Sequence, residues 1–452
     1  MDRGRGPGKN PPPACRGQSD RSGSDRRGGT RLSESQTVQP PVRKAATFFI
    51  FITIVLDALA MGIVIPVMPQ LIASVGHVRL DDASTYVGLF GSSWALMQLV
   101  ASPVQGALSD CYGRRPVILI SNCGMGLNYM LMALAPNLGV LWIGRLISGA
   151  CAGSIPAAMA YLADVNPPEK RAASFGLIGA GFSVGFMIGP ALGGFLGALG
   201  PRAPFWAAAV LSLVNFLYGT FVLPESLSKE RRAPIELWRL NPVGALYGMM
   251  RSYPALSGML AVSLLLSFAQ LGPNNIFVLY AAHWYGWTPP QIGLFMTVGA
   301  MAGLVVQAFL VARATRHLGE RRSLVLGAAL TVAGLTLYGM APTGLAFWFG
   351  VPFVSLGAIG GPAWSALMSR QVGPSEQGRL SGATSSLQSL AQIVAPMLFT
   401  GAFQASISTT AKSHAPLPPG APFYMAAVVM AAAALLAIWT TRRTPSAALV
   451  RA

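Results

Sequence analysis

The sequence predicts an all-α polytopic membrane protein with twelve transmembrane helices in two six-helix bundles. Three observations predict it. Of 452 residues, 53% are hydrophobic and only 10% are Asp, Glu, Lys or Arg, well under half the roughly 25% charge of soluble domains. Apolar stretches long enough to cross about 30 Å of hydrocarbon recur twelve times. Finally, Gly113 and Gly319, Pro156 and Pro362, Pro168 and Pro374, and Pro190 and Pro396 each stand 206 residues apart (319 minus 113, for example). One offset shared by four pairs marks a duplicated six-helix unit. Disorder and a collagen-like fibre are excluded by the apolar load, and a disulfide scaffold by a count of four cysteines. Those four, Cys15, Cys111, Cys123 and Cys151, have no metal-ligand spacing and are expected as free thiols.

Residues 1–46 are rich in Gly, Pro, Ser and Arg without apolar period, which predicts a disordered basic tail. The apolar run that follows is too long for a cleavable signal peptide. The six helices of the first bundle, 47–223, fall near 47–72, 85–108, 117–136, 140–163, 173–197 and 204–223. A cytoplasmic linker, 224–253, carries Pro224, Pro234 and Pro242. The second bundle, 254–440, places helices near 254–281, 290–312, 323–341, 346–368, 380–403 and 422–440, before a short tail, 441–452. Separators such as Asn166-Pro167-Pro168 and Trp287-Thr288-Pro289-Pro290 carry turn signals.

The net charge of +17 raises the question of nucleic acid. Its distribution answers it. Of 32 basic residues, 28 lie in the two tails and alternate loops, three (Arg79, Arg202, Lys412) lie in the other loops, and Arg145 lies inside the fourth helix. That asymmetry places both termini in the cytoplasm, with the basic residues at anionic headgroups rather than on a nucleic acid. Two parallel repeats around a midplane site imply alternating-access transport.

Gly106, Asp110, Gly113, Arg114 and Arg115 lie in the loop joining the second and third helices. Asp110 is expected to cap a helix and to pair with an arginine across the bundle interface in one conformation. The fifth helix carries Gly176, Gly185, Gly189-Pro190 and Gly193-Gly194. Glycines four apart let another backbone approach, and Pro190 bends the helix. Arg145 to Gly149 form an Arg-x-x-x-Gly element.

Together these elements resemble the major facilitator superfamily, and within it the drug/proton antiporters. The resemblance is nearest to the tetracycline-resistance exporters, through Trp94-Ala95-Leu96-Met97-Gln98, Gly144 to Gly149 and Ile188 to Gly194. It implies the fold of that superfamily and proton-coupled efflux of small amphipathic compounds across an inner membrane. A proton-coupled nutrient importer is the alternative. There are departures: Cys111 occupies a usually basic site, Leu127-Asn128-Tyr129 lacks the acid before tyrosine, and the ninth helix has no acid.

Of fifteen acids, Asp57 alone lies inside a predicted span, about 15 Å deep. Arg145 lies within reach in depth. Either Asp57 carries the transported proton with Arg145 tuning it, or the two form a permanent salt bridge. Gln98, Asn128, Gln270, Asn274, Gln388 and Gln392 are candidates to line the substrate cavity. No nucleophile, paired acids or His cluster lies within the bilayer, so an enzyme is not expected. The expected partners are a small-molecule substrate, protons and the lipid bilayer. The chain is expected to be a monomer, with no metal and no cofactor, and with the proton gradient as energy source.

Overall fold

A computed structural model describes residues 42–79, 82–152, 154–228, 230, 232, 256–373, 376–412 and 418–443. Among them every regular element is helical, because backbone amides in hydrocarbon must bond within their own segment. In the amino-terminal half, α1 spans Val42–Val64 and continues through a 3-10 turn, Ile65–Val67, into Met68–Gly76. Then come α2 (Ala83–Tyr112), α3 (Arg114–Leu134), α4 (Leu138–Ala150 and Ser154–Val165), α5 (Pro168–Gly197) and α6 (Ala203–Val222). In the second half, α7 is Leu256–Tyr285, and α8 opens as Pro289–Val305 and passes through a π-helical stretch, Val306–Leu310. It leads into Val311–Met340, which Gly319, at φ +75°, divides into the end of α8 and α9. After them come α10 (Gly344–Trp348, Gly350–Gly357 and Gly360–Ser369), α11 (Gln377–Lys412) and α12 (Ala421–Arg443).

Helix starts follow the sequence signals. Asn137 Oδ1 accepts from Val140 N–H at 3.0 Å to open α4, and Thr288 with Gln291 forms a capping box around Pro289 to open α8. Gly113, at φ +112°, turns the chain between α2 and α3 as Gly319 does between α8 and α9, so one paired offset marks one paired conformation. Several expectations need correction. The tail expected over 1–46 gives way to helix from Val42, and α4 and α10, expected as single rods, are interrupted near 151–153 and near Ala358–Ile359. Residues 1–41, most of the expected linker 224–253, Pro374 and residues 444–452 lie outside the described residues. Cys111, Cys123 and Cys151 are free thiols.

Packing repeats the duplication. In the first half α1 lies against α5 and α6, α2 against α4, and α3 against α4 and α6. In the second, α7 lies against α11 and α12, α8 against α10, and α9 against α10 and α12. Each bundle carries its own apolar clusters, one around Leu71, Leu141 and Phe205 and another around Tyr280, Phe347 and Phe423. The bundles meet where α5 packs on α8 and α2 on α11.

Both junctions close at one end. At the end away from Val42 and Arg443, the far end, a Cβ on Gly194 or Gly293 would collide with the Pro289 or Pro190 carbonyl. There too, one on Gly91 would lie 3.2 Å from the Pro396 ring. Ser92 donates to the Ile393 carbonyl and Ser84 to Gln404 across the α2–α11 junction. Toward the terminal end the same four helices present Gly106, Gly176, Gly179, Gly299, Gly303, Gly378 and Gly382, where an added Cβ would meet nothing within 4 Å. Close contacts between the two bundles therefore gather at the far end, the arrangement of a wedge closed there.

Candidate functional site

The α2–α3 loop is a knot of charge within the first half. Arg114 pairs with Asp110, and its Nε donates to Asp164 Oδ2 of α4 at 3.0 Å. Glu225, just beyond α6, accepts from the backbone N–H groups of Arg114 at 2.9 Å and Arg115 at 3.3 Å. It is therefore Glu225, not Asp110, that caps α3, where the helix dipole favours a carboxylate. Arg115 donates to the Thr220 carbonyl at 2.7 Å. Asp110, 53% exposed, pairs with Arg114 of its own half in this conformation rather than across the interface. Gly106 faces open space. In the second half, Glu320 and Arg370 pair at 2.6 Å. They stand 206 residues after Arg114 and Asp164 (320 minus 114, 370 minus 164) with the signs reversed.

The glycine-rich face of α5 is divided among neighbours. Gly185, Gly189 and Gly193 lie on α1, with a Cβ on Gly189 placed 2.7 Å from Gly62 Cα. Gly194 and the Pro190 carbonyl turn to α8 instead, and Gly176 meets neither.

Asp57 and Arg145 are not ion-paired in this structure. Asp57 Oδ1 accepts from Asn215 Nδ2 at 2.9 Å, the Ser154 hydroxyl of α4 also stands within hydrogen-bonding range of the carboxylate, and Asp57 Oδ2 is sealed from solvent. Asn215, 0% exposed on α6, also donates to the Thr53 carbonyl at 3.2 Å, which fixes its amide toward α1. Arg145 on α4 lays its guanidinium over Trp94, 5.8 Å from the ring centroid, and its buried Nε has no partner. Tyr129, buried on α3, lies within electrostatic range of both charges.

Arg145 opens on a cavity of about 120 Å³ lined by Val64, Ile65 and Met68 of α1, Phe90 and Gly91 of α2, and Asn274, Asn275 and Val278 of α7. The cavity joins both halves at the level of the far-end seal, with Gly91 common to the two. Of the expected lining, Asn274 reaches it. Gln270 and Gln388 are exposed on α7 and α11, with Gln392 half-buried one turn from Gln388. Gln98 is half-buried where α2 meets Gly149 of α4. Asn128, 1% exposed, packs on Met132 and Gly144 and stays away from the cavity.

Asn215 and Glu225 are contributors that motif reading missed, and Trp94 stands in a quoted motif without its contact to Arg145 having been foreseen. A lone carboxamide in the apolar run 204–223 was the available signal for Asn215. For Trp94 and Glu225 the partners are remote in sequence, and no local signal exists.

The family model described as the Major Facilitator Superfamily matches residues 50–396, and again 260–451. The tetracycline resistance protein, class C, of Escherichia coli is 37% identical over 360 residues, covering 79% of this chain and 89% of the relative. The class G protein of Vibrio anguillarum is 35% identical, covering 78% and 88%. Multidrug resistance protein 2 of Bacillus subtilis (strain 168) is 27% identical, covering 90% and 99%. Two solved structures share the fold. The human organic anion transporter MFSD10 has TM-score 0.67 and 23% identity, covering 88% of this chain and 100% of its own. The nucleoside transporter NupG has TM-score 0.70 and 12% identity, covering 90% and 100%. Duplicated bundles, their crossed junctions and these matches converge: the chain belongs to the Major Facilitator Superfamily, in the company of the tetracycline-resistance proteins.

Proposed function

We propose that this chain exports small amphipathic compounds, drug-like or tetracycline-like, across a bacterial inner membrane in exchange for protons. The observation that carries the reading is the wedge. Two bundles closed along α2–α11 and α5–α8 at the far end are one of the two states alternating access needs. The basic loops assign the terminal end, with both termini, to the cytoplasm, so this state opens inward. Residues 47–223 and 254–440 are the moving bodies, joined by 224–253. The resistance named for the relatives supports export over import.

Asp57 carries the proton. Oδ2 takes it, while Asn215 keeps Oδ1 in place and the Ser154 hydroxyl stands by, so the carboxyl changes charge without losing its position. No cofactor enters; the proton gradient supplies the energy, and a monomer suffices. The test is a growth screen of an efflux-deficient host expressing the chain against a drug panel. Resistance that a protonophore abolishes is the expected result. Sensitisation marks an importer, and protonophore-insensitive resistance removes proton coupling.

The α2–α3 knot sets the balance between the two orientations without touching the cavity. Arg114→Ala, which releases both Asp110 and Asp164, is expected to slow initial transport in vesicles several-fold while substrate affinity holds. Asp110→Asn, at a more exposed pair, is expected to do less. A loss confined to affinity would place this loop in the substrate site instead.

A further inference from the structure

The cavity at the far-end seal holds a cation with no anion. Arg145 is the charged group on its wall, and its neighbours there are apolar side chains and two carboxamides. Its guanidinium face is taken by Trp94, which leaves the terminal N–H groups of the guanidinium as the donors toward the cavity, while Nε is sealed off without a partner. Asp57, the acid expected to pair with it, accepts from Asn215 instead. Asn275 turns one N–H back to the Leu271 carbonyl at 2.8 Å, so Asn274 is the carboxamide with uncommitted donors. An unpaired guanidinium at membrane depth is costly, and the cost falls when a ligand brings the counter-charge.

We propose that this cavity is an oxyanion subsite, and that the compounds this chain takes up from its open side carry a carboxylate or enolate on an apolar ring body. The oxyanion sits on the terminal N–H groups of Arg145 with Asn274 as second donor. Val64, Ile65, Met68, Phe90 and Val278 enclose the first ring, for which about 120 Å³ is room. The α7 carboxamides come from the opposite bundle, so a bound oxyanion ties both halves together at the seal. The subsite deepens the exporter reading and rests on it for the direction of transport, but not for binding.

The test is binding to the purified full-length chain of three size-matched probes: 1-naphthoate, its methyl ester and 1-naphthylmethylammonium. Naphthoate is expected to bind at least about tenfold more tightly than the ester, with the cation weakest, as one charge-assisted contact provides. Arg145→Gln is expected to bring naphthoate down to the ester. Because Arg145→Gln disturbs a buried site, Asn274→Asp supplies the second variant: a carboxylate facing the guanidinium should erase the preference. Equal binding of acid and ester, tighter binding of the cation, no binding of any probe, or a preference that survives both variants overturns the subsite. The expected ranking in a chain that sensitises the host in the drug screen would keep the subsite and remove the exporter reading.

Discussion

Asp57→Asn is expected to reduce proton-driven transport to the level of empty vesicles while leaving the folded protein intact. Asn keeps the size of Asp and an oxygen that can accept from Asn215 Nδ2, so the contact that ties α1 to α6 survives. What it removes is the ability to gain and lose a proton at depth. A permanent Asp57–Arg145 salt bridge would predict a loss of expression and melting temperature instead, since removing one partner strands the other charge. Arg145 already stands apart from Asp57, so the stability of this variant should stay near wild type. The measurements are substrate uptake into proteoliposomes under an imposed pH gradient and a melting curve of the same preparation. Wild-type uptake by Asp57→Asn would refute the assignment.

Gly193→Ala is expected to have the largest effect on folding. Its added methyl would collide with the Ile63 carbonyl oxygen and lie 2.7 Å and 2.8 Å from the carbonyl carbon and Cα of Ile63. These are backbone atoms that no rotamer change can move. Relief requires α1 and α5 to separate, with an overpacking cost of about 1–3 kcal/mol. Gly176→Ala is the matched control from the same glycine-rich element, and it has open space around it. Thermal stability in detergent should fall for the first and hold for the second. Equal behaviour would mean that the α1–α5 contact does not set the stability of the bundle.

Hydropathy and length made the twelve rods legible, because a bilayer requires about twenty apolar residues wherever the chain crosses. The repeat was legible too, since glycine and proline mark backbone conformations that paired loops share, as Gly113 and Gly319 do. Helix interruptions were not. The breaks near Cys151 and Ala358 each precede a Gly- and Pro-bearing restart, ending in Pro156 and Pro362, and that signal was used for the repeat alone while hydropathy ran on through it. For the site, a buried Asp57 and a buried Arg145 could be read from cost alone. Their partners could not: Asn215 and Trp94 are chosen by helix rotation, and opposite charges at similar depth suggested a pair that the packing keeps apart. The six α5 positions read alike as a motif, whereas their three separate destinations emerge only once α1 and α8 are placed.

The far-end seal is made largely of main chain. Gly194 and Gly293 meet the carbonyls of Pro289 and Pro190, and Gly91 meets the ring of Pro396. Glycine has no χ angles and proline's ring is fixed, so such a closure has few rotamers to search when it parts and few to recover when it re-forms. A gate of interdigitated leucines would solidify as its side chains lock, and each opening would have to melt that lock. A bearing of bare backbone can slide and reseat with its geometry unchanged, which lets the same surfaces serve every cycle without a memory of the last one.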